Sequence, residues 1–216
     1  MSVTAREALA RLQEGNRRFV SDERKLDVRA NHTRREALAD GQQPFAIVLG
    51  CSDSRVPAEL VFDQGLGDLF VIRVAGNIVA PSQVGSVEFA AARYGARLVV
   101  VLGHTQCGAV QATLEHLANP AEHTSNVQSI VDRIRPSIET VLAVAAPGDE
   151  ARLLQQAVRA NVRASADHLR HGSRLLERLI QEDDLMVVGA EYSLETGVVD
   201  FFDGARARQP ADAGRP

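Results

Sequence analysis

His104 and Cys107 stand three residues apart in Gly103-His-Thr-Gln-Cys-Gly108, a spacing that lets an imidazole and a thiolate turn toward one ion. The only other cysteine, Cys51, follows an apolar run. Together the three offer two sulfurs and one nitrogen. Zinc accepts such a set, and three protein ligands leave a fourth position open, the pattern of catalytic rather than structural sites. No third cysteine exists to close a four-ligand site. Alone, His-x-x-Cys carries little information, because small buried cysteines are common packing filler. A redox pair is a second alternative, although Cys-x-x-Cys spacing is absent. A disulfide is a third, disfavoured in a reducing compartment.

The surroundings of Cys51 sharpen the reading. Gly50-Cys-Ser-Asp-Ser-Arg-Val-Pro57 places Asp53 two residues from Arg55 directly after the apolar run. A carboxylate so placed is held ionised and oriented by the guanidinium. Beside a metal it would accept a hydrogen bond from bound water, or take the open position itself. The alternative is a surface salt bridge contributing little.

These residues need elements to hold them. Phe45–Gly50, Leu69–Val74, Arg97–Leu102 and Leu185–Gly189 read as short, nearly continuous apolar strands of a parallel sheet. Val198–Phe202, after a turn at Thr196-Gly197, is expected to pair antiparallel with the last of them. Helices are expected over Thr4–Val20, with Thr4 and Glu7 forming a capping box, over Thr33–Asp40 ending at Gly41, and over Ser82–Tyr94 and Cys107–Ala118. A long helical region from Ser125 to Ile180 is expected to break around Pro136, Pro147-Gly148 and Gly172. The alternation predicts an α/β fold, a mostly parallel central sheet flanked by helices with an N-terminal helical arm. The expected organisation is a single domain over residues 1–203, with the arm in 1–41 and a disordered tail in 204–216. In such sheets ligands bind beyond the carboxyl ends of the strands, where both cysteines fall.

The 216 residues carry 24 basic and 28 acidic side chains, a net charge of −4, with 45% apolar residues. That is enough for a sizeable core. It is a poor balance for a general binder of nucleic-acid backbones, so no nucleic-acid partner is expected. Apolar runs reach six residues, far short of a membrane span, and no targeting segment is visible. A cytoplasmic location without membrane attachment is the expectation.

Cys-Ser-Asp-Ser-Arg at 51–55, with His104-x-x-Cys107-Gly108 beginning 53 residues after Cys51, resembles the β-class carbonic anhydrases. The likeness continues through Arg73-Val-Ala-Gly-Asn77 and Gly189-Ala-Glu-Tyr192…Gly197, covering roughly residues 42 to 204. It implies one Zn2+ per chain on Cys51, His104 and Cys107, with Asp53 and Arg55 as the catalytic dyad. The implied reaction is reversible hydration of CO2 to bicarbonate and a proton, by attack of zinc-bound hydroxide on the carbon. Two thiolates neutralise the dication, so activity should rise above neutral pH.

The resemblance also implies a pocket completed across a dimer, often paired into tetramers. Gln42 and Phe70 match residues reaching the substrate, Phe89 stands where plant relatives carry a tyrosine, and Gly108 matches a glycine lying against the substrate. Core packing is the alternative for the two phenylalanines. Some relatives bind bicarbonate at a regulatory position built from tryptophan, arginine and tyrosine. Arg73 and Tyr192 match two of these, but Val48 occupies the tryptophan's place and the chain contains no Trp. The open-site, non-allosteric type is therefore expected, with Arg73 and Tyr192 structural.

The rival reading is hydrolysis of carbonyl sulfide or carbon disulfide on the same ligands, since those substrates are isoelectronic with CO2. A non-catalytic zinc or bicarbonate-sensing module would better suit a chain lacking Asp53 or Arg55. Gly65-Leu-Gly67 is a lone Gly-x-Gly and reads as a turn, not a nucleotide site.

Overall fold

The computed structural model describes residues 3–25, 32–119, 124–144 and 148–205. Helix α1 (Ala5–Val20) starts at the expected cap: Thr4 Oγ1 accepts the Glu7 N–H, and the Glu7 carboxylate accepts the Thr4 N–H at 2.9 Å. Then follow α2 (His32–Ala37), β1 (Ala46–Gly50), α3 (Ala58–Val61) and β2 (Leu69–Arg73). A single 3-10 turn (Ala75–Asn77) leads to α4 (Pro81–Tyr94), β3 (Leu98–His104), α5 (Gly108–Ala118) and α6 (Ser125–Leu142). The chain continues through α7 (Glu150–His171), α8 (Arg174–Glu182), β4 (Met186–Tyr192) and β5 (Val199–Asp203).

The strands form one sheet in the order β2-β1-β3-β4-β5, parallel except that β5 runs antiparallel to β4. Side chains alternate across it. Val48, Leu98, Val100 and Leu102 face one core with Leu12, Phe62 and Tyr192. Ile47, Leu49, Val99 and Val101 face the other, with Val87, Val162 and Leu176. Both faces are covered, which is why these strands read as continuous apolar runs.

Several boundaries differ from expectation. The short helix closes at Ala37 because residues 38–41 tighten into i→i−3 bonds, such as Gly41 N–H to Leu38 O. The helix α6 runs straight through Pro136. Proline there removes one bond to Asp132 O, but both residues are exposed, so water serves that carbonyl, while buried Val131, Ile134 and Ile138 hold the helix down. Gly172 does end α7. Pro147 and the tail over 206–216 lie outside the described residues. Strands β3 and β4 extend past their apolar runs to His104 and Tyr192, so the second ligand candidate ends a strand rather than sitting in a loop. The four-residue α3 was not anticipated from periodicity.

The apolar face of α1 is covered by its own chain. Ala8, Leu9 and Leu12 pack into the first core. Asn16 Nδ2 donates to Val61 O and Gly197 O, and its Oδ1 accepts the Val199 N–H. No described helix is long and apolar enough to cross a membrane.

Candidate metal centre

Parallel register assembles the site. Gly50 on β1 pairs with Leu102 on β3, so one residue further on Cys51 leaves its strand beside the end that carries His104. Beyond His104, Gln106 adopts a left-handed conformation (φ 55°) and turns the chain back, so that Cys107 caps α5. One ligand atom from each of Cys51, His104 and Cys107 lies within 4.8 Å of the others. All three residues are buried, at 5%, 0% and 1% exposure.

Electrostatics favour a cation here. His104 Nδ1 lies 2.9 Å from the Thr105 carbonyl, so it carries the proton and leaves a lone pair on Nε2. That Nε2 is buried with no hydrogen-bond partner, a costly state for a polar atom unless something else binds it. As thiols alone, the two cysteines share a proton. The Cys107 thiol bonded to Cys51 pulls the latter down to about 4, against its burial and with help from His104 and the Gly76 amide. Cys107 is pushed up by the same bond and by burial, while the Ala109 and Val110 amides at the start of α5 oppose this. A bound dication removes that competition and lets both ionise. Around zinc, ligand atoms at 2.0–2.3 Å stand roughly 3.5–4 Å apart. The donor set fits zinc with a small inward movement.

Asp53 borders the cluster, with Oδ2 3.8 Å from His104 Nε2. Arg55 grips it bidentately, Nε to Oδ1 at 2.9 Å and an η-nitrogen to Oδ2 at 2.7 Å, and adds its backbone N–H to Oδ1 at 2.9 Å. These bonds hold the carboxyl well below the usual carboxylate range, against partial burial. Arg73 fixes the loop beneath, donating to Cys51 O at 3.1 Å and Asp53 O at 2.6 Å. Gly108 opens α5 with nothing within 4 Å of where a Cβ would stand, so the space beside the cluster is free.

Gln42, Phe70 and Phe89 lie elsewhere in the chain. Gln42 donates to Tyr94 Oη at 3.0 Å, and Phe70, Phe89 and Tyr94 form an aromatic cluster with centroids 5.7 to 6.3 Å apart. This group sits at the start of the parallel strands, where Phe70 pairs with Ile47. The length of β1, about 13 Å at 3.3 Å per residue, separates that end from Cys51.

Three contacts at the centre were not read from sequence. The Gly76 N–H donates to Cys51 Sγ at 3.3 Å. From α7, Asn161 Nδ2 donates to Gly76 O at 2.8 Å and Ser165 Oγ to Asn77 O at 3.0 Å. The available signal was two polar residues, one turn apart, on the buried stripe of an amphipathic helix.

A family model described as carbonic anhydrase matches residues 46–199. Carbonic anhydrase 2 of Mycobacterium tuberculosis is 36% identical over 186 residues, 86% of this chain and 87% of that protein. A carbonic anhydrase of Mycolicibacterium smegmatis is 46% identical over 127 residues, 59% of this chain and 61% of that one. The crystal structure of the β-carbonic anhydrase CafA of Aspergillus fumigatus superposes with a TM-score of 0.71 at 27% identity, covering 80% of this chain and 81% of that one.

Proposed function

Since this chain belongs to the β-class carbonic anhydrases and is a carbonate dehydratase, we propose that it hydrates CO2 reversibly with one zinc ion held by Cys51 Sγ, His104 Nε2 and Cys107 Sγ. The observation that carries the zinc assignment is the buried, unpartnered Nε2 facing two sulfurs. Bound there, zinc supplies a Lewis acid that makes water a nucleophile near neutral pH.

The chain does the rest. Asp53, kept ionised by Arg55, has lone pairs and no proton, so it accepts the O–H of the attacking water and turns the oxygen toward the carbon of CO2. Arg73 holds the carbonyls of Cys51 and Asp53, fixing ligand and acceptor in one frame. The open space at Gly108 admits the substrate. Both Asp53 oxygens are committed to Arg55, and ligation by Asp53 would break those charge-assisted bonds. This supports the open-site reading. The residues at the regulatory positions support it too: Val48 is wholly buried in the sheet, Tyr192 is buried, and Arg73 is engaged with the loop.

Gln42, Phe70 and Phe89 reach a substrate only if a second copy supplies them. Phe89 is 52% exposed within its aromatic cluster, and aromatic residues at the surface are typical of interface cores. The proposed unit is a dimer whose pockets are each lined by the partner.

The test is stopped-flow CO2 hydration on protein of measured zinc content. Activity proportional to zinc and climbing from about pH 6.5 to 9 supports the reading. A zinc-loaded dimer that hydrolyses carbonyl sulfide but leaves CO2 untouched overturns it.

A further inference from the structure

Gly76 and Asn77 form a left-handed pair. Their φ values are 69° and 43°, and Asn77 is not glycine, so the conformation needs support from outside the turn. A Cβ at Gly76 would stand 2.7 Å from Ile134 Cδ1 and 3.1 Å from Ala109 Cβ, which shows how closely the turn is pressed against α5 and α6. The support that fixes peptide orientation comes from α7. Asn161 and Ser165 are four residues apart and therefore on one face of that helix. They reach the successive carbonyls of Gly76 and Asn77, and both are buried, at 2% and 5% exposure. With those carbonyls held, the preceding peptide has little freedom, and its N–H points at Cys51 Sγ.

We infer that Asn161 and Ser165 are positioning residues for the metal centre, holding the Gly76–Asn77 turn so that the Gly76 amide donates to Cys51 Sγ. The inference rests on Cys51 as a metal ligand. An N–H bond to a thiolate withdraws charge from sulfur and fixes the direction of its remaining lone pairs. Such outer partners commonly alter metal affinity or activity by about 10- to 100-fold. The i, i+4 pair thus ties the long helix α7, distant in sequence, to the electronic character of one ligand.

Cobalt(II), exchanged into the full chain in place of zinc, reports on this through its thiolate-to-metal charge-transfer band. Asn161→Ala is expected to move the band to longer wavelength, because a sulfur freed of its donor is easier to ionise, and to raise the cobalt dissociation constant about 10-fold or more. Ser165→Ala, a gentler change, should move both in the same direction by less, and Ser165→Thr, which keeps the hydroxyl, should restore them. Leu169→Ala is the control: this wholly buried α7 residue packs in the second core and has no polar atom to bond the carbonyls of the turn, so it lowers thermal stability without moving the band. An unchanged band and affinity in Ser165→Ala and in any folded Asn161→Ala protein, or equal shifts in Leu169→Ala, would overturn the inference. Absence of a thiolate band in the wild-type cobalt protein would sink the Cys51 assignment, and the inference with it.

Discussion

Two carboxyls close to the centre respond to pH with opposite sign. Arg55 depresses the pKa of Asp53, so its contribution to stability is complete above the ordinary carboxylate range and is lost as pH falls below it. Glu191 is 5% exposed, and burial raises its pKa even though Arg159 lies 3.2 Å away and pulls it down. A raised acid favours folding below its unfolded pKa, and that advantage disappears as pH rises through the folded value. Glu191→Gln removes the penalty of burying a charge. Its urea midpoint should therefore gain on the wild type as pH goes from about 4.5 to 7.5; a constant difference across that window would contradict this account. At Asp53 the effect is on rate. Asp53→Asn should retain full zinc yet hydrate CO2 roughly 10- to 100-fold more slowly, as stopped-flow rates normalised to zinc will show.

At the scale of elements, the docking of α1 hangs on one glycine. A Cβ at Gly15 would lie 1.8 Å from the backbone carbonyl oxygen of Phe62, which cannot move aside as a side chain could. Alanine improves helix propensity by at most about 1 kcal/mol, while forcing atoms into a packed contact costs about 1–3 kcal/mol or more. Gly15→Ala is therefore expected to destabilise, with a lower melting temperature despite the better helix former. The same seam holds Arg18 Nε 2.5 Å from Asp63, whose side chain is wholly buried. Arg18→Ala removes the guanidinium and leaves the buried carboxylate its bond from the Lys25 N–H at 2.8 Å, so the expected cost in denaturant unfolding is about 3 kcal/mol. The exposed Arg17–Glu14 pair one residue away should contribute little, because solvent screens it.

For the molecule as a whole, the dimer proposal turns on the aromatic cluster. The cluster of Phe70, Phe89 and Tyr94, with Gln42 bonded to it, stands at the opposite end of the sheet from Cys51, His104 and Cys107. On the dimer proposal, Phe89→Glu places a charge in the interface. Light scattering should then show a monomer that retains zinc and loses most of its CO2 hydration. Mixing it with a Cys51→Ala chain, intact at the interface but deficient in metal, is expected to restore some activity. A fully active monomer would remove Gln42, Phe70 and Phe89 from the pocket.

How much of this was legible in the chain depended on the range of the forces involved. The strands, the cap at Thr4 and the stop at Gly172 follow from local chemistry: continuous apolar runs, a hydroxyl four residues before a helix's second turn, a residue without a Cβ. The cluster of Cys51, His104 and Cys107 was legible because residue type restricts it, with two cysteines in the whole chain and a histidine three residues from one of them. The tertiary structure decided what no local pattern encodes. Parallel register, with Gly50 opposite Leu102, brought Cys51 beside His104. Packing of α6 overruled Pro136, because one bond lost to water costs less than leaving Ile134 and Ile138 uncovered. Asn161 and Ser165 were not legible as site residues because their partners are backbone carbonyls 85 and 88 residues away, and a backbone carbonyl has the same identity in every residue.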